Sequence, residues 1–301
     1  MRLVIGSRGS SLALWQANWV QDRLRSAGHE IEIRVIRTSG DLMPQVALES
    51  SGVKGLFIKE IEQALIEGSI DLAVHSLKDM PADQPAGLTL AAVPPREDAR
   101  DALVSRDGAS FAGLTSGARL GTSSVRRRSQ LCRLRPDLEM VRMRGNVDTR
   151  LRKLGEGQCD ALVLAAAGLI RLGFQPRICE YFPTDQLCPA VGQGALAIET
   201  RQGDGPVLAA LGPLDDPAAH RAVRAERALL RRLGGGCAVP IAAHATPSGN
   251  TLSLVGVVAC PDGSRWVRDQ VSGPASDPEA LGVTLAEVLL RLGARQILEA
   301  A

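Results

Sequence analysis

The 301-residue chain is 45% hydrophobic and 23% charged, with a formal net charge of +2. That is enough apolar material for two or three folded domains, and too little net charge for a general polyanion binder. No run approaches the roughly 20 apolar residues of a membrane span, and residues 1–10 hold too short an apolar run for a secretory signal.

The six cysteines (132, 159, 179, 188, 237 and 260) show no C-x-x-C spacing, and the four histidines (29, 75, 220 and 244) no paired ligand spacing. A cytoplasmic protein with reduced thiols and no metal is expected. Cationic charge is unevenly placed: lysine occurs only at 54, 59, 78 and 153, while ten arginines between Arg119 and Arg152 meet only Asp137, Glu139 and Asp148.

In chain order, residues 3–6 read as a strand, followed by an amphipathic helix with Leu12, Trp15, Trp19, Val20 and Leu24 on one face and Gly28 beyond its end. Residues 31–36 alternate as a second strand, giving the strand-helix-strand opening of a parallel sheet. Residues 38–54, with Asp41 among them, lack periodicity and are expected to form a lid. A helix over 57–67 leads into the strand 70–74, which ends in His75, Ser76, Lys78 and Asp79 before Pro81.

A strand at 88–93 ends at Pro94-Pro95, taken as the crossing into a second α/β region. There, strands are expected at 101–105, 118–121, 139–143 and 161–165, with helices at 123–134 and 147–154. The G-Q-G-A-L-A run at 192–197 only imitates a dinucleotide fingerprint, having no strand before it. An Arg-rich helix over 216–233 leads to Gly234-Gly235-Gly236-Cys237, read as a tight exposed turn with an accessible thiol. Strands at 241–246, 251–260 and 265–272 and a helix at 277–292 close the chain.

Arg8, Lys78 and Asp79, Thr122 to Ser124, Arg144, and Gly168 with Arg171 a turn later all follow strands. In a doubly wound sheet such points share one edge, where ligands bind. Thr122, Ser123 and Ser124 would also open a helix, whose N–H groups and dipole favour an anion. Arg126 and Arg127 oppose that dipole, so an anionic partner is expected beside them, and guanidinium forks favour carboxylates. Arg128 is assigned to the solvated face. With 3% aromatic residues and no stacking platform, nucleic acid is a poor partner.

Seven stretches, I-G-S-R-G-S-S-L-A-L-W-Q, G-V-K-G-L-F-I-K-E, A-V-H-S-L-K-D-M-P, G-T-S-S-V-R-R, R-G-N-V-D-T-R-L, P-A-V-G-Q-G-A and G-G-G-C-A-V-P, occur in this order across residues 5–240. Together they resemble the porphobilinogen deaminase (hydroxymethylbilane synthase) family. Ser7, where threonine is common, and the third arginine, Arg128, depart from its pattern. The resemblance implies an α/β protein of two doubly wound domains similar to type II periplasmic binding proteins, plus a small α+β C-terminal domain. The expected division is residues 1–95 with 194–213, residues 96–193, and residues 214–301.

It implies a transferase that joins four porphobilinogen molecules head to tail into hydroxymethylbilane, releasing ammonia, on a dipyrromethane cofactor thioether-linked to Cys237. Asp79 matches the family's catalytic aspartate, with Lys78 and Arg8 beside it. Ser76, Lys78, Asp79, Thr122, Ser124, Arg126, Arg127, Arg144 and Gly145 are expected at the cofactor. Arg8, Ser10, Phe57, Arg144, Arg150, Arg171 and Gln193 are expected at the substrate, and Lys54 along the same cleft. A monomer with no nucleic-acid or membrane partner is expected. The competing reading is a non-catalytic cytosolic anion-binding module related to solute receptors, which needs neither the Gly-Gly-Cys turn nor a third domain.

Overall fold

The computed structural model describes residues 1–42, 58–235 and 239–299. The chain divides into two compact units, Met1–Arg96 with Ala195–His220, and Glu97–Gly194 with Arg221–Ala301.

The first unit is built on β1 (Arg2–Ser7), α1 (Ser11–Ser26), β2 (Glu30–Val35), α2 (Lys59–Ile66), β3 (Leu72–Ser76) and β4 (Leu88–Ala92). The returning chain adds Leu196–Arg201, which is β10 in chain order, and a short helix, Gly205–Leu211. The sheet order is β2-β1-β3-β10-β4. β1 runs parallel to β2 and β3, whereas β10 is antiparallel to both of its neighbours. Ser10 caps α1 by accepting the Ala13 N–H, and Ala17, Val20 and Leu24 bury its inner face.

That face is rotated from the expected one. Trp15 and Trp19 are only half-buried, and the Arg23 guanidinium lies over the Trp19 ring. Small Ala17 is what sits against the sheet. β3 also reaches further than expected, carrying His75 and Ser76 in the ladder because β10 pairs them with Ala197 and Leu196.

In the second unit, β5 (Asp101–Ser105), β6 (Arg119–Gly121), α3 (Val125–Leu134), β7 (Glu139–Val141), α4 (Val147–Gly155), β8 (Ala161–Ala165), α5 (Ala166–Arg171) and β9 (Glu180–Phe182) follow one another. Their sheet, in the order β7-β6-β8-β5-β9, repeats the first pattern: three parallel strands, then one antiparallel strand inserted before the edge.

The same unit holds the helix Pro217–Arg232 from Arg221 onward and an antiparallel meander of β11 (Ile241–Ser248), β12 (Thr251–Ala259) and β13 (Trp266–Pro274). Two helices, Pro278–Arg291 and Ala294–Glu299, complete it. Leu229, Leu254, Leu285, Leu289 and Ile297 form the core between them. Gly235 is buried, not part of an exposed turn: a Cβ there would lie 2.4 Å from Ile241 Cδ1. Among the described residues no helix is long and apolar enough to cross a membrane.

Gly282 sets how closely two of these helices approach, since a Cβ on it would lie 2.3 Å from the Ala225 carbonyl oxygen and 2.7 Å from the Ala228 Cβ. Gly282→Ala is expected to cost about 1–3 kcal/mol through overpacking, read as a lower thermal midpoint; an unchanged midpoint would show that the helices part freely.

Candidate functional site

In the first unit, β1 and β3 are parallel neighbours, with Ile5 opposite Leu72 and Gly6 opposite Ala73. Their C-terminal ends therefore share one edge of the sheet, and the residues that follow them meet there. Arg8 follows β1, and a single 3₁₀ turn, Leu77–Asp79, follows β3. Leu77 is buried and its N–H donates to the Ala195 carbonyl, so the turn is fastened on its inner side and turns Asp79 outward, where it is exposed. Ser76, before the turn, accepts a hydrogen bond from Gln16 Nε2 at 2.8 Å. Ser10 is committed to capping α1.

In the second unit, β6 ends at Gly121 and the chain turns into α3. Ser124 is the helix cap, its Oγ accepting the Arg127 N–H at 3.3 Å, and the buried Thr122 hydroxyl accepts the Ser124 N–H at 3.2 Å. Both of these side chains are thus bound to the local backbone. Arg128 is exposed, as assigned.

Arg126 and Arg127 are buried, at 5% and 6% exposure, and share one carboxylate. Asp101, the first residue of β5 and fully buried, accepts from Arg126 Nη1 at 2.7 Å and Nη2 at 3.2 Å, and from Arg127 Nε at 2.8 Å. Arg126 Nη1 also donates to the Cys188 carbonyl. Gln193 completes the group, with Nε2 donating to the Ala99 carbonyl at 2.7 Å and to Asp101 at 3.0 Å, and Oε1 accepting from Arg127.

Burial alone would raise the Asp101 carboxyl, but the Arg126 and Arg127 guanidinia outweigh it and hold the group far below the usual carboxylate range. Two cations against one anion leave an excess positive charge, and Arg126 Nε is buried with no hydrogen-bond partner. An anionic ligand would satisfy both.

Further along the same unit, Arg150 Nε donates to the Gly145 carbonyl at 2.7 Å, and Lys153 Nζ to that of Arg144. Gly145 takes φ +117, and a Cβ there would lie 2.8 Å from Thr149, so the turn between β7 and α4 favours glycine. Arg171, the last residue of α5, is buried and donates to the Gly194 carbonyl at 2.7 Å; burial pulls its pKa down to about 10. It remains cationic at neutral pH.

Cys237, Lys54 and Phe57 lie outside the described residues, as does most of the lid expected at 38–54. The five described cysteines are free, and burial pushes the Cys159 and Cys188 thiols up to about 11 and about 12, keeping them neutral and unreactive.

Asp101 is absent from the sequence-derived site. Its one local signal is an acid opening an apolar strand, D-A-L-V-S. Asp101→Asn is expected to cost about 3–5 kcal/mol, because it strands two buried guanidinia. A carboxyl lowered by folding stabilises above its unfolded pKa and loses that contribution as pH falls. The gap between wild type and Asp101→Asn in urea unfolding should therefore narrow below about pH 4; a gap constant with pH would contradict the charge assignment.

Residues 3–209 match the family described as porphobilinogen deaminase, dipyromethane cofactor binding domain, and residues 220–291 its C-terminal domain. The porphobilinogen deaminase of Syntrophotalea carbinolica is 54% identical over 99% of this chain and 95% of its own length. That of Geobacter sulfurreducens is 53% identical over 99% and 94%. Among solved structures, the methionine-binding protein MetQ aligns with a TM-score of 0.46 at 13% identity, over 73% of this chain and 90% of its own. The L-cystine solute receptor of Neisseria gonorrhoeae aligns at 0.42 and 12%, over 79% and 94%. With both family regions matched and near-complete coverage of its relatives, the chain belongs to the porphobilinogen deaminase family.

Proposed function

We propose that this chain joins four porphobilinogen molecules head to tail into hydroxymethylbilane, and that its own residues divide the work as follows. The observation that carries the reading is identity above 50% to porphobilinogen deaminases across almost the whole chain. A receptor that only binds anions does not account for a match to a cofactor-binding domain.

Each pyrrole brings an acetate and a propionate, so binding requires cations with little mobility. Arg126 and Arg127, held by Asp101, keep one positive charge in excess and one unpartnered donor. They are the groups we assign to the carboxylates of the dipyrromethane, with Thr122, Ser124, Arg144 and Gly145 nearby in the chain. Arg8, Ser10, Phe57, Arg150, Arg171 and Gln193 are assigned to the substrate side. Cys237 is assigned as the attachment point. When bound, the dipyrromethane supplies the nucleophilic carbon from which the product grows.

Asp79 is the catalytic carboxylate of the reaction. As the C–N bond of the substrate's protonated aminomethyl group breaks, ammonia leaves with the electron pair and the positive charge passes to the pyrrole. The exposed Asp79 carboxylate stabilises that cation and accepts the pyrrole N–H. The same carboxylate would take up the proton released when the new C–C bond forms. Lys78 and Arg8 hold substrate carboxylates at that sheet edge and fix the orientation. In this reading residues 1–95 with 194–213 carry the acid, 96–193 the anion site and 214–301 the attachment cysteine, and the enzyme acts as a cytoplasmic monomer without a nucleic-acid or membrane partner.

Asp79→Asn should retain the covalent adduct in intact-protein mass spectrometry yet lose at least about 100-fold in turnover, and near-normal turnover would remove Asp79 from the chemistry. Cys237→Ala should show the bare polypeptide mass, whereas a persisting adduct would place the attachment on another thiol.

A further inference from the structure

At the two ends of the segment that carries Asp79 lies a buried polar cluster with no part in the chemistry above. His75 on β3 and Glu199 on β10 are 6% and 0% exposed, with His75 Nε2 and Glu199 Oε2 3.4 Å apart at an angle that makes no hydrogen bond. The other oxygen, Glu199 Oε1, accepts from Gln84 Nε2 at 3.2 Å. His75 precedes Asp79 by four residues and Gln84 follows it by five. One fully buried carboxylate therefore touches both ends of the ten-residue segment that displays the acid.

Glu199 sits in the unbroken β10–β3 ladder opposite Ala73, and the β10–β4 register shift beside it places the extra residue, Ala91, on β4. In an apolar sheet of this depth a glutamate is costly unless its lone pairs are used. Glu199 Oε1 accepts from Gln84 while Oε2 lies against His75 without a hydrogen bond, so one carboxylate contacts both sides of one loop.

We propose that Glu199 is a positioning residue for catalysis: by holding His75 and Gln84 together it sets the placement of the Lys78–Asp79 turn. The inference rests on the assignment of Asp79 as the reaction's catalytic carboxylate.

The charges around the clamp are consistent with that role. Glu62, from α2, faces the pair with Lys59 behind it; burial and then the Glu199 carboxylate raise the Glu62 carboxyl above the usual range. Arg201, two residues along β10, is engaged instead with Asp71, Asp204 and the Leu65 and Ile70 carbonyls.

The test compares holoenzyme variants Glu199→Gln, Gln84→Met and Asp79→Asn in steady-state kinetics, with adduct mass and thermal midpoint measured on each. A small misplacement of a reacting group costs up to about 100-fold. Glu199→Gln and Gln84→Met should therefore keep the adduct, keep KM within about twofold and lose about 10–100-fold in kcat. Their double variant should lose little more than the worse single one, since both release the same loop. Wild-type kcat in either single variant overturns the proposal, as does a loss explained wholly by the unfolded fraction at the assay temperature. If Glu199→Gln does not fold, Gln84→Met, near-isosteric and lacking the donor, decides alone. An inactive Asp79→Asn beside fully active clamp variants refutes the clamp only, while an active Asp79→Asn refutes the assignment on which it rests.

Discussion

Two guanidinium groups sharing one buried carboxylate are the constraint on which the second unit depends. Charges cannot be left unpaired in an apolar interior, so Asp101 must face Arg126 and Arg127, and β5 must lie against the start of α3. Gln193 and the Cys188 carbonyl join the same network and bring the 188–193 segment with them. The result is a rigid group with one more cation than anion. Rigidity lowers the entropy lost on binding, and the surplus charge makes an anion the natural complement.

The first unit uses the same strand arrangement for a different end. Each sheet has three parallel strands and one antiparallel strand inserted next to the edge. In the second unit that inserted strand, β5, supplies Asp101 to Arg126 and Arg127. In the first it is β10, whose Glu199 contacts His75 and Gln84, on either side of Asp79 in the chain. A buried acid on the inserted strand thus contacts neighbouring elements in both cases, once through arginines and once through a histidine and a glutamine.

What was legible in the sequence was local. Strand ends rich in Lys, Arg, Asp and Ser mark where parallel strands deliver side chains, and Arg8, Lys78 and Asp79 emerge together because β1 and β3 are neighbours. Ser124 announces itself as a helix cap by its position before the arginine run. Both inserted strands depend on pairing across more than fifty residues. β5 was found as a strand, yet nothing local shows that its first residue is buried against α3. β10 escaped notice because glycines precede it and its pattern, buried along almost its whole length, has no alternation to read. The same limit hid Glu199, which looks like an ordinary charge at the end of an apolar run.

The central claim is that this chain extends a product covalently attached to itself, with successive losses of ammonia. The most direct measurement is rapid mixing of the purified protein with porphobilinogen, followed by intact-protein mass spectrometry. The account predicts a ladder of protein-bound species, each heavier than the last by one substrate less one ammonia, ending after four additions as free product appears. Product formation with the protein mass unchanged at every time point would contradict it.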